Sequence, residues 1–178
     1  MGERQQIFPF SFFTFTLFLY LCTQNMMLEL HNVTIGQQIR SLSLTVEDGQ
    51  LVCLSGSPGS GKSTLLRAIM GFLPVDAGHI SIDGELLTPK SAPYFRRQMA
   101  YVPQHLEVPE GYPLDTDYVK LLTKAIESGK PLVIVDEPPK PISGVAETLV
   151  DNLLRDASLR GISVLAVNER ITQNQVKL

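Results

Sequence analysis

Nine consecutive residues, Gly56-Ser57-Pro58-Gly59-Ser60-Gly61-Lys62-Ser63-Thr64, fit the glycine-rich loop that wraps phosphate groups. Glycines at 56, 59 and 61 let successive backbone N–H groups converge on phosphate oxygens, and a side chain at Gly61 would obstruct that wrap. Lys62 is placed to reach the outer phosphates, the Ser63 hydroxyl to ligate Mg2+, and Ser57, Ser60 and Thr64 complete the loop and the first turn beyond it. A second acidic pair, Asp136-Glu137, follows the apolar run Leu132-Val133-Ile134-Val135 directly. Two carboxylates at the carboxyl edge of a buried strand suit magnesium binding by Asp136, through water, and orientation or deprotonation of an attacking water by Glu137.

The elements flanking these residues have the order a phosphate site needs. Leu28–Ile35 and Leu42–Val46 alternate apolar with polar residues, the period of half-buried antiparallel strands. Gln50–Ser55 is mostly apolar and runs straight into the glycine loop. From Lys62 to Met70, Leu65, Leu66, Ile69 and Met70 fall on one helical stripe that Gly71 stops. Ile80–Ile82 and Met99–Val102 read as short strands separated by a loop with two prolines. A helix is expected over Asp117–Ser128 with Val119, Leu122 and Ile126 buried. Ser143 caps another carrying Leu149, Val150, Leu153 and Leu154, and Val164–Val167 is one more buried strand. Alternating strands and helices predict an α/β domain with a mostly parallel sheet and a small antiparallel β subdomain.

Composition excludes several alternatives. An apolar fraction of 44% with 19% charged residues is that of a chain that buries a core. A net charge of -3 with no run of five basic residues argues against nucleic acid as a partner. Cys22 and Cys53 alone offer neither a disulfide framework nor a four-ligand zinc site, which fits a reducing compartment. His31, His79 and His105 are scattered along the chain and read as surface or turn histidines rather than a metal constellation. Arg96-Arg97 reads as a solvated helix face, Phe72 and Phe95 as core or groove residues.

Six of the eight phenylalanines lie between Phe8 and Phe18, and the composition changes near Met26. The 16 residues from Ile7 to Cys22 fall short of the ~20 that cross a bilayer as a helix, and they contain Pro9. Residues 1–26 are therefore expected to be a hydrophobic N-terminal extension of a domain spanning 27–178, with a membrane-touching anchor or a cleaved signal as the alternatives.

Beyond the glycine loop, the chain resembles the nucleotide-binding domain of ATP-binding cassette (ABC) transporters. The resemblance rests on Val46-Glu47-Asp48-Gly49-Gln50, on Ser63-Thr64-Leu65-Leu66, on Gly71-Phe72-Leu73-Pro74 with Asp76-Ala77-Gly78 and Asp83-Gly84, on Tyr101-Val102-Pro103-Gln104, and on Val135-Asp136-Glu137-Pro138. It covers roughly residues 27–170. It implies a P-loop NTPase fold and a subunit that binds Mg-ATP, hydrolyses it, dimerises head to tail and drives a membrane permease from the cytoplasmic face. Gln104 would then be the glutamine that contacts Mg2+ and senses the partner. The sequence also departs from that family. Only 31 residues separate Gln104 from Asp136, too few for the usual helical subdomain, so that subdomain is expected to be largely absent. No Leu-Ser-Gly-Gly-Gln signature is present, its place falling near Tyr112-Pro113-Leu114-Asp115-Thr116. Asn168-Glu169 stands where a switch histidine is usual, and no aromatic residue near Ile35-Gly36 can stack on adenine.

Three readings follow: a minimal ABC ATPase acting with a permease or a second ABC subunit, a degenerate ABC module that binds ATP with little turnover, and a P-loop kinase or GTPase. The last is disfavoured because no arginine lies between Arg97 and Arg155 to form a cationic lid, and because no Asn-Lys-x-Asp motif occurs.

Overall fold

A computed structural model describes residues 26–104, 114–138, 141–168, 170–171 and 174–178. In chain order the elements are β1 (Leu28–Ile35), β2 (Ile39–Val46), β3 (Leu51–Ser55), α1 (Lys62–Ile69), β4 (Ala77–Ile82), β5 (Glu85–Leu86), α2 (Ala92–Arg97), β6 (Met99–Val102), α3 (Leu114–Ile126), β7 (Leu132–Val135), α4 (Gly144–Leu159), β8 (Ser163–Val167) and β9 (Gln175–Lys177). They form two sheets. The first has strand order β2-β1-β4-β5 and is antiparallel throughout, and the second has order β6-β7-β8-β3-β9 and is parallel.

The central strands β3, β7 and β8 of the parallel sheet are buried on both faces, which explains their apolar runs. Successive side chains of a strand point to opposite faces. Val52, Leu54, Leu132, Ile134, Leu165 and Val167 thus join one core with α1 and the antiparallel sheet. Their neighbours Cys53, Val133, Val135, Val164 and Ala166 join a second core with Tyr118, Leu122 and Ile126 of α3 and Val150, Leu154 and Ala157 of α4. The P-loop NTPase architecture and the extra antiparallel sheet agree with the sequence expectation. Among the described residues between Gln104 and β7, α3 is the single helix, and it packs on α4 and β6.

Local signals set the ends of the helices. Gly71 has φ 70°, its N–H donates to Ala68 O at 2.9 Å and the Phe72 N–H donates to Arg67 O at 2.9 Å, a Schellman stop for α1. A Cβ at Gly71 would stand 2.5 Å from the Ala92 Cβ, so this turn also admits α2 close against it. In α4 the Ser143 hydroxyl accepts from the Ala146 N–H at 3.2 Å.

Several expectations change. Helix α3 starts at Leu114, and its inward position is taken by Tyr118, with Val119 only partly buried, because the Tyr118 hydroxyl reaches a backbone carbonyl of the site. Leu149 is 44% exposed, since Val150 and Leu154 are the residues buried in the core there and Leu153 packs against it partly buried. Phe72 is 65% exposed and lies under the Arg96 guanidinium, 4.8 Å from its ring centre, whereas Phe95 is core. Met26 is itself packed in the core. Among the described residues no helix is long and apolar enough to cross a membrane.

Candidate nucleotide site

Strands β3, β6, β7 and β8 all end at the same edge of the parallel sheet, the edge at which ligands bind in such folds. Beyond Ser55, the last residue of β3, the chain turns through Gly56 (φ 151°), Gly59 (φ 81°) and Gly61 (φ 98°) into α1. Gly56 and Gly61 are required for more than their backbone angles. A Cβ at Gly56 would lie 2.7 Å from the Leu178 carbonyl and 2.7 Å from Ser60 Oγ, and one at Gly61 would lie 3.1 Å from both Gln38 Cβ and Ile39 Cγ1. The turn between β1 and β2 therefore backs the loop from one side and the strand β9, hydrogen-bonded to β3, from the other.

Lys62 is 9% exposed, and its Nζ bends back over the loop to donate to the carbonyls of Gly56 and, at 3.1 Å, of Ser57. The ammonium is thus held across the mouth of the loop. Ser60 Oγ is buried without a hydrogen-bond partner. An orphaned hydroxyl inside a cradle of backbone donors fits a loop whose partner is an external anion.

Asp136 meets this loop from β7. Ser63 Oγ donates to Asp136 Oδ1 at 3.4 Å, joining residues 73 positions apart, and the Glu137 N–H donates to the same oxygen at 2.9 Å. Asp136 is 4% exposed and Glu137 half-buried beside it. Gln104 follows β6, whose Val102 pairs with Val135, so it stands at the neighbouring strand end. Thr64 lies in the first turn of α1, and Ser57 and Gly59 are exposed at the loop tip. Two tyrosines were not anticipated as parts of this site. Tyr118 OH donates to the Asp136 carbonyl at 2.6 Å, and Tyr101 OH to Asp136 Oδ2 at 3.5 Å. Burial first, then the Asp136 carboxylate, pushes both phenols above their ordinary pKa. Tyr101 is the one exposed residue of β6, and neither tyrosine carried a chemical signal in the sequence.

Beyond β8, Asn168 is 9% exposed, and both ends of its amide are engaged within the protein. Its Oδ1 accepts from the N–H groups of Arg170 at 2.8 Å and Ile171 at 3.2 Å, and its Nδ2 donates to Asp151 Oδ1 at 2.8 Å. Arg170 in turn pairs with Glu147 and, at 3.3 Å, with Asp151 of α4. Glu169, His105 and the residues 112–113 of the displaced signature lie outside the described residues, as does the extension 1–25.

The sequence model of the ABC transporter family matches residues 39–128, half of the chain, and so takes in both the glycine loop and Gln104. The chain belongs to the ABC transporter family. It is 38% identical over 76 residues to the manganese transport system ATP-binding protein of Listeria innocua, covering 43% of this chain and 30% of that protein. To the zinc import ATP-binding protein of Pseudomonas fluorescens it is 30% identical over 155 residues, covering 81% of this chain and 54% of that protein. Like the first of these, the other leading curated ABC relatives are matched over about a third of their length. Two solved structures share the fold. One is an ATP-binding subunit of an ABC transporter, with a TM-score of 0.62, 20% identity and 85% coverage of both chains. The other is a bacterial Atm1-family ABC exporter with ATP bound, with a TM-score of 0.64, 17% identity and coverage of 87% of this chain and 37% of that one. Nucleotide binding follows from membership of the ABC family and agrees with the cradle of residues 56–64.

Proposed function

We propose that this ABC chain binds Mg-ATP at the 56–64 loop and hydrolyses it, so as to drive or regulate a membrane complex from the cytoplasmic, inner face of a membrane. The observation that carries the reading is the approach of Ser63 to Asp136, which gathers a hydroxyl and a carboxylate beside a loop already crossed by Lys62. Backbone donors at Gly56, Ser57, Gly59, Ser60 and Gly61 would hold the phosphates, and the Lys62 ammonium would exchange loop carbonyls for β- and γ-phosphate oxygens. Oxygen ligands suit Mg2+, and Ser63, Asp136 and Gln104 would hold it. When bound, the ion offsets charge on the phosphate oxygens. Glu137, adjacent to Asp136 and half-buried, would accept a proton from the attacking water at its carboxylate. Tyr118 fixes the Asp136 backbone and so the placement of both acids.

A permease and a second ABC subunit are the partners this reading requires. A second reading, ATP binding with little turnover, is favoured by Asn168: its amide is turned to the loop 168–171 and to Asp151, not left for a γ-phosphate. Steady-state phosphate release from the full chain with Mg-ATP, run beside Glu137→Gln, tests hydrolysis. Turnover lost in the variant supports the enzyme; binding without turnover in both supports the second reading. Unchanged ATP binding by Lys62→Ala in a calorimetric titration overturns both.

A further inference from the structure

His31 and His79, 48 positions apart in the chain, face each other directly across β1 and β4. Their rings stack with centroids 4.9 Å apart and planes 28° from parallel, on the solvent side of the antiparallel sheet. Glu29, two residues before His31 and therefore on the same face, brings its Oε1 to 3.9 Å from His31 Nε2, while its Oε2 accepts from Ser81 Oγ at 3.3 Å. The pairs Glu29–Ser81 and His31–His79 are alternate cross-strand partners, on one face with Leu30–Ile80 between them on the other, so a carboxylate sits beside two imidazoles.

The backbone beneath the pair is locked. Immediately after His31 the register shifts at a bulge in which Asn32 takes φ 49°, and Gly78 opposite takes φ 76°. A Cβ at Gly78 would stand 2.3 Å from the His31 carbonyl oxygen and 2.4 Å from that of Asn32, so the strands are pressed together at this point. The Asn32 N–H donates to Ser43 Oγ at 3.0 Å, tying the bulge to β2 as well. In the stack the in-plane nitrogens of the two rings point along nearly parallel directions, so sharing an ion requires both side chains to turn about χ1 and χ2 while the backbone beneath them stays in place.

We propose that His31 and His79 form a two-imidazole clamp for a divalent transition ion of the zinc class, with the Glu29 carboxylate offsetting its charge. Imidazole nitrogen selects zinc, copper and nickel over magnesium and calcium, which prefer oxygen donors, so this site is chemically distinct from the Ser63–Asp136 pair. Among the described residues no three His, Cys, Asp or Glu side chains are gathered to hold a metal. The clamp is therefore an open chelate completed by water, not a closed structural zinc site.

The test is titration of the full chain with Zn2+ in saturating Mg2+, beside His31→Ala, His79→Ala and the Lys62→Ala control. The clamp predicts a binding event that weakens roughly tenfold or more in either histidine variant, as expected when a chelate is cut to one ligand, and persists in Lys62→Ala. With Cu2+ as a second probe, electron paramagnetic resonance should report two coordinated nitrogens in the parent and fewer in each variant. Both histidines are exposed, so the substitutions leave the fold intact, which circular dichroism checks. Zn2+ titrations identical to the parent in both variants, or a copper spectrum they leave unchanged, overturn the proposal.

Discussion

Removing the hydroxyl of Tyr118 is the sharpest perturbation of the site that leaves every proposed ligand in place. Tyr118 is fully buried, and its OH donates to the Asp136 carbonyl at 2.6 Å, the backbone group that follows β7 and precedes Glu137. Tyr118→Phe keeps the ring and its packing in the α3–α4 core but withdraws a donor from a buried carbonyl, a loss of about 1–3 kcal/mol. For a chain of this size that corresponds to a fall in melting temperature of roughly 2–12 °C. Tyr101→Phe is the internal control: that residue is 39% exposed and its hydroxyl stands 3.5 Å from Asp136 Oδ2, so water replaces it and the expected change is below about 0.5 kcal/mol. Thermal denaturation of the parent and both variants, followed by circular dichroism, reads the difference. Because Asp136 and Glu137 would lose their backbone anchor, Tyr118→Phe should also weaken Mg-ATP binding, by a few-fold in calorimetry. A Tyr118→Phe protein as stable as Tyr101→Phe would refute the assignment of this hydrogen bond as the clamp of the site.

Other consequences are accessible with the same protein. Gly71→Ala forces a Cβ to 2.5 Å from the Ala92 Cβ at a φ of 70°, so it should destabilise the fold by about 1–3 kcal/mol in urea unfolding without touching the phosphate loop. Burial pushes the Cys53 thiol up from its ordinary value near 9 to about 11, with Arg155 opposing and Asp151 reinforcing the shift. The folded thiol then keeps a proton that the unfolded thiol releases, so its contribution to stability is complete below pH 9 and is lost as pH rises from 9 towards 11. Alkylation by iodoacetamide at pH 8, followed by mass spectrometry, should leave Cys53 unmodified until denaturant is added. Asn168→His, at one of the two residues that stand where the resemblance leads one to expect a switch histidine, removes the acceptor shared by the Arg170 and Ile171 N–H groups. It should lower the melting temperature and leave phosphate release no faster; a gain in turnover would show that the side chain is free to face the nucleotide.

The sequence by itself determined whatever depends on neighbours in the chain. The loop 56–64 is contiguous, and its glycine spacing sets its tight turns wherever it is placed. Alternation over 28–35 and the apolar run 132–135 report one covered face and two covered faces respectively, because side chains alternate along a strand. Ser143 and Gly71 mark helix ends through bonds that span only a few residues. What the tertiary structure decided are encounters between distant segments, for which no local pattern exists. Ser63 finds Asp136 only because β3 and β7 end at one edge of a parallel sheet, separated by β8 alone. Tyr118 takes the fully buried position, with Val119 packed only partly buried beside it, because a buried carbonyl needs a donor, a demand that helical periodicity cannot register. His31 and His79, scattered in the chain, become partners because β1 and β4 pair in a register fixed by Gly78, the residue whose missing side chain lets the two strands close.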